Sequence, residues 1–117
     1  MTILADFQIV TTGGNFSSGK AFTKTFPTGG RCGAGFLGFL LMEWLSFPEQ
    51  WDKPAYVKFY VNGHWIATLP VVKGTATKIL RLGEENLFST KQNTFKALAF
   101  NAWGGFENVV CHYHQKS

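Results

Sequence analysis

The chain has 117 residues, of which 16% are aromatic and only 15% charged, with twelve Phe, four Trp and thirteen Gly. That length suits one domain with a core that needs no staples, and the balance excludes a disordered segment and favours short strands joined by tight turns over helices. The net charge of +4 comes from dispersed lysines and two arginines with no basic run, so a nucleic-acid partner is not signalled.

Met1 to Val10 holds Asp6 and no basic region followed by an apolar core, so no secretory signal peptide is read there. The expectation is a cytoplasmic protein, or one released by another route such as within a virion. Leu4 to Thr11 alternates as a first strand, and Thr12-Gly13-Gly14-Asn15 ends it with turn chemistry. Lys20 to Phe26 reads as a weaker strand suited to a sheet edge, broken by Pro27-Thr28-Gly29-Gly30.

Phe36 to Phe47 is apolar on both parities, which suits a central strand or a short buried helix. Gly33, Gly35 and Gly38 disfavour the helix. As a strand it needs cover on its second face, for which a partner subunit is one candidate. The run is shorter than the roughly 20 residues of a membrane helix and contains Glu43, so no membrane span is expected. Cys32 and Cys111 could pair and close a long loop, but without a signal peptide two such thiols more often stay reduced as small buried residues. Phe47 to Pro54 is a loop bounded by prolines, with Trp51 expected to be partly buried.

The clearest element is Tyr56 to Leu69, a β-hairpin in which Asn62-Gly63 separates two alternating runs. This dipeptide supplies the two positive φ angles of a two-residue type I′ turn. That loop pairs Val61 with His64, Tyr60 with Trp65, Phe59 with Ile66 and Val57 with Thr68. Val57, Phe59, Val61 and Ile66 then face a core, His64 shares their side, and Lys58, Tyr60, Trp65 and Leu69 face outward. Further strands are read at Thr75 to Leu82, at Asn93 to Phe100 and around Asn108 to His114. Gly83-Glu84-Glu85-Asn86 turns the chain between the first two, and Asn101 to Gly105, with Trp103 at its tip, turns it before the last. Strands recurring at this spacing with no convincing helix predict an all-β, single-domain antiparallel β-sandwich over residues 1–117, immunoglobulin-like or jelly-roll-like.

Three stretches carry a family resemblance: Val57 to Gly63 with Ile66-Ala67-Thr68, Ile79 to Asn86, and Phe95 to Gly105. With these the second half of the chain resembles bacterial immunoglobulin-like domains, the modules of adhesins, carbohydrate-active enzymes and phage virion proteins. The resemblance implies a sandwich in which these stretches are a strand before a crossing turn, a strand ending in a Gly-Asn corner, and the penultimate strand with its hairpin. Residues 12–50 depart from that pattern. A family that hosts many roles implies fold more than function.

In such a sandwich Ala97 and Ala99 face the core and Lys96, Leu98 and Phe100 the outside. On the last strand Val109, Cys111 and Tyr113 share one face, and Val110, His112 and His114 the other. Placed beside Lys58, Tyr60 and Trp65, the histidines would make one outer face of flat rings and hydrogen-bonding groups. Such a face suits the apolar sides of sugar rings. The alternative is that these rings are covered by loops or by another subunit. His112 and His114 could share a metal, but a third ligand is missing, so no metal and no cofactor is expected. The seven carboxylates show no acid–base spacing, and no nucleophile or phosphate-loop motif occurs, so the chain is read as non-catalytic. The expectation is a lectin-like protein, a homo-oligomer, binding glycan through Tyr60, Trp65 and Trp103 by stacking and through Asn101, His112 or His114 by hydrogen bonds. The alternative is a structural or interaction module, such as a virion or adhesin domain, whose outer aromatics form a protein interface.

Overall fold

Alternating apolar residues with tight turns between them give nine strands among the described residues: β1 (Ile3–Thr11), β2 (Asn15–Ser17), β3 (Phe22–Phe26), β4 (Gly38–Pro48), β5 (Tyr56–Val61), β6 (His64–Pro70), β7 (Gly74–Leu82), β8 (Asn93–Phe100) and β9 (Ala102–Lys116). The structure, a computed structural model, describes residues 3–27, 38–83 and 92–116, and the side chains of 7–27, 38–83 and 92–113. The expectations for Cys32, for the glycines at 33 and 35, for the turn at Glu84 and Glu85 and for the side chain of His114 lie outside the described residues.

The strands form two antiparallel sheets. The first runs β1-β9-β4-β7, with β2 beside β1 on the same edge of β9, and the second runs β3-β8-β5-β6. This is the expected all-β sandwich, with the Lys20 to Phe26 segment at a sheet edge. No helix of the described residues is long and apolar enough to cross a membrane.

The core lies between the sheets and is built from one parity of each strand. Leu40, Met42 and Trp44 of β4 and Val109, Cys111 and Tyr113 of β9 meet Val57, Phe59 and Val61 of β5 and Phe95, Ala97 and Ala99 of β8, all buried. At its centre the Phe106 ring stands 5.2 to 5.6 Å from those of Phe22, Phe16 and Phe95, and 6.4 Å from that of Phe59. Edge and tilted contacts of this kind suit the ring quadrupole better than stacking face on face. The Asn62-Gly63 turn has the expected left-handed angles, φ 54° and 81°. It is braced across the second sheet, where Asn62 Nδ2 donates to Asn93 Oδ1 at 2.7 Å and Thr94 N donates to Asn62 Oδ1 at 2.8 Å.

Three expectations need correction. The hairpin keeps Val61 opposite His64 and Tyr60 opposite Trp65, but a bulge then shifts the register, so Phe59 faces Ala67 and Val57 faces Leu69. The extra residue, Ile66, moves Leu69 from the outer side to the core, against which it is partly buried. His64 is exposed, because it lies on β6, the edge strand of the second sheet, none of whose residues is fully buried, whereas Val61 opposite it on β5 is. Finally, Asn101 to Gly105 is not a five-residue turn. The chain reverses at Asn101, whose φ is 52°, and β9 starts at Ala102.

The Gly104-Gly105 pair therefore belongs to a strand, where it permits close approach. A Cβ on Gly104 would collide with the Leu45 carbonyl oxygen and lie 2.9 Å from the Phe16 ring. One on Gly105 would lie 2.7 Å from the Gly14 carbonyl oxygen. Gly104→Ala is accordingly expected to lower unfolding free energy by about 2 kcal/mol, with Gly13→Ala, whose Cβ meets open space, within about 0.5 kcal/mol of wild type in the same denaturant titration. Phe106→Ala removes the ring on which both sheets converge and is expected to cost about 3 to 5 kcal/mol by the same measurement.

Candidate functional site

The hairpin and β8 place the outer side chains of the second sheet in rows. Lys96 of β8, Tyr60 of β5 and Trp65 of β6 follow one another across the sheet, then Leu98, Lys58 and Thr68, then Phe100 and Tyr56. Trp65 is 60% exposed, yet its ring is not loose, since Nε1 donates to Thr68 Oγ1 at 2.9 Å. Tyr56 and Phe100 stack at 4.9 Å with an interplanar angle of 18°. The Lys58 ammonium stands 5.5 Å over the Phe100 ring, a cation–π contact. Next to Tyr60 the sheet surface is hollowed into a cavity of about 690 Å³ lined by Tyr60, Asn62, Gln92, Thr94, Lys96 and Leu98. Rings on one side and amide, hydroxyl and ammonium groups on the other give this surface both an apolar platform and polar partners.

The other residues picked from sequence lie elsewhere. β9 belongs to the first sheet, so His112 cannot join Tyr60 and Trp65 on one face. It sits on the outer side of the opposite sheet, 4.6 Å from the ring of Phe39 and 6.0 Å from that of Phe7. The backbone of His114 pairs with Ala5 in that same sheet. Trp103 is not at a loop tip but on β9, also on the first sheet, stacked on Phe47 at 4.8 Å. The single outer face expected from sequence is thus two faces pointing in opposite directions.

Asn101 has a different setting. Its Nδ2 donates to the carbonyl oxygens of Gln50, Lys53 and Pro54 at 2.9 to 3.1 Å, and its Oδ1 accepts from Gln50 N at 2.9 Å. The amide is thereby engaged with the loop that leads from β4 to β5. Trp51 in that loop, expected to be partly buried, is exposed, with the Lys73 ammonium 5.4 Å over its ring.

The stacked pair Tyr56 and Phe100 was not singled out by sequence reasoning. Its signal was present: Tyr56 shares the parity of Lys58 and Tyr60 on the hairpin strand, and Phe100 that of Lys96 and Leu98. That they stack depends on β5 pairing with β8, which no local pattern specifies.

No family model matches the chain, and no curated protein matches it in sequence. Among solved structures it is similar to dimeric latent PorU from Porphyromonas gingivalis, at 11% identity and a TM-score of 0.67, over 97% of this chain and 13% of that one. The chain thus spans 13% of the length of the protein it matches, and a likeness at this identity shows the fold alone. It is also similar to the CBM36-1 domain of a multidomain xylanase from the hindgut metagenome of Trinervitermes trinervoides (13% identity, TM-score 0.48, 93% of this chain and 96% of that one). A third likeness is to a carbohydrate-binding module CBM36 in complex with calcium and xylotriose (13% identity, TM-score 0.41, 94% and 98%). The last two are too loose to bear on what this chain binds.

Because the Asn101 amide is tied to the loop, Asn101→Ala is expected to destabilise the protein by about 1 to 2 kcal/mol in a denaturant titration, from the lost hydrogen bonds and the left-handed φ that Ala tolerates poorly.

Proposed function

We propose that the chain is a non-catalytic saccharide-binding module whose site is the outer face of the second sheet. Trp65 and Tyr60 stack on the apolar sides of sugar rings, and Lys96 and Thr94 at the adjoining hollow bond hydroxyl or acidic groups. The observation that carries this reading is the Trp65 indole, largely exposed yet fixed by its bond to Thr68, opposite Tyr60, which on its other flank lines a cavity of about 690 Å³. An aromatic held in place before the ligand arrives loses little freedom on binding. The Tyr56 and Phe100 pair, four residues along β5 from Tyr60, lies about 13 Å away along the strand. That distance suits an oligosaccharide better than a single sugar.

An interaction module using these same outer aromatics would compete for this face; the exposed apolar residues Phe7, Ile9 and Ile79 lie instead on the first sheet, where an interface would leave the saccharide face free.

A glycan array followed by calorimetry with a retained oligosaccharide tests the proposal. Trp65→Ala is expected to weaken binding about tenfold or more while leaving the far-ultraviolet circular dichroism unchanged. Retention of no glycan, or equal affinity for a folded Trp65→Ala variant, would overturn it.

A further inference from the structure

A sheet face turned to water ordinarily alternates to polar residues, but the outer face of the first sheet does not. Phe7, Ile9 and Ile79 are 56%, 55% and 59% exposed. Strand pairing aligns Phe7, His112, Phe39 and Arg81 in one row across β1, β9, β4 and β7, and Ile9, Val110, Leu41 and Ile79 in the next. His112 stacks on Phe39 at 4.6 Å and 18°, so the first row presents the edges of two stacked rings at its middle. A third row, Asn108, Glu43 and Thr77, closes the patch with polar groups.

We propose that this face binds a second copy of the chain about a twofold axis running along the strands between β9 and β4. The rows are self-complementary about that line. A half-turn about it sets Ile9 against Ile79, Val110 against Leu41 and His112 against Phe39. It brings the Arg81 guanidinium over the Phe7 ring and the Asn108 amide to the Glu43 carboxylate. Apolar groups meet apolar groups, a cation meets a ring and a donor meets an anion, as an isologous interface requires. A twofold axis across the strands would instead set Arg81 over Ile79, or Glu43 against Phe39. A foreign partner would need no such internal symmetry.

The size is sufficient. Three rows about 6.7 Å apart on strands about 4.8 Å apart present roughly 350 Å² in projection per copy, so a pair buries on the order of 1,000 Å² once side-chain relief is counted, the threshold of a specific interface.

Light scattering on the eluted full chain tests this. The expected mass is that of two chains, against 13.0 kDa for one. Ile79→Lys, at a position exposed in the single chain, should halve that mass with unchanged circular dichroism, because dimerisation would bury an unpaired ammonium. Trp65→Ala, on the other sheet, should leave the mass unchanged, so failure of this proposal is distinguishable from failure of the saccharide reading. In a Cys32→Ser background, a chain carrying both Ile9→Cys and Ile79→Cys should form disulfide-linked dimers under mild oxidation, and one carrying Ile9→Cys alone should not. A monomeric wild type at every concentration, or a dimer that a folded Ile79→Lys variant preserves, overturns the interface. Cross-linking by Ile9→Cys alone overturns the axis.

Discussion

The contact on which the architecture converges is the packing around Phe106. This ring comes from the first sheet and touches Phe16 of its own sheet and Phe22, Phe59 and Phe95 of the other. Phe59 in turn meets the edge of Trp44 at 5.6 Å, which closes a ring of aromatics spanning both layers. Burying large flat side chains in edge contact fills the space between sheets that smaller residues such as Ala97, Ala99 and Ala102 leave open. It also dictates which parity of each strand faces out. Tyr60 is outside because Phe59 and Val61 are inside, and His112 is outside because Cys111 and Tyr113 are inside.

Parity was the part of the fold most legible in sequence. The Asn-Gly turn, the alternation of Val57, Phe59 and Val61, and the split of Val109, Cys111 and Tyr113 from Val110 and His112 all follow from a period of two, and the structure has them. The apolar second parity of the Phe36 to Phe47 run also carried information. Leu41, Leu45 and Phe47 of β4 lie on the outer side and are half-buried, while Phe39 and Glu43 on that same side are exposed.

What sequence did not disclose is where parity slips and which strands are neighbours. Ile66 and Glu107 are the extra residues at bulges in β6 and β9. At Glu107 the buried set passes from Ala102, Gly104 and Phe106 to Val109, Cys111 and Tyr113, so one strand of fifteen residues imitates a turn followed by a shorter strand. The Gly104-Gly105 pair reinforced that impression, since glycine serves both in turns and wherever another backbone presses close. The separation of His112 and Trp103 from Trp65 is a matter of sheet membership, which rests on pairings between residues distant in the chain and leaves no local trace.

The tie at Asn101 has a mechanical meaning. Of the chain's crossings between the sheets, one runs from the first to the second after β4 and another back to the first after β8. Both passages meet at one end of the sandwich, where the Asn101 amide holds the backbone of Gln50, Lys53 and Pro54. Glu49 N donates to the Asn101 carbonyl oxygen, Ser18 N to Glu49 Oε1, and Ala102 N to Ser18 Oγ. The result acts as a rivet through both layers. Sliding of one sheet over the other at this end would strain these hydrogen bonds together, since they tie the strand ends of both layers to one side chain.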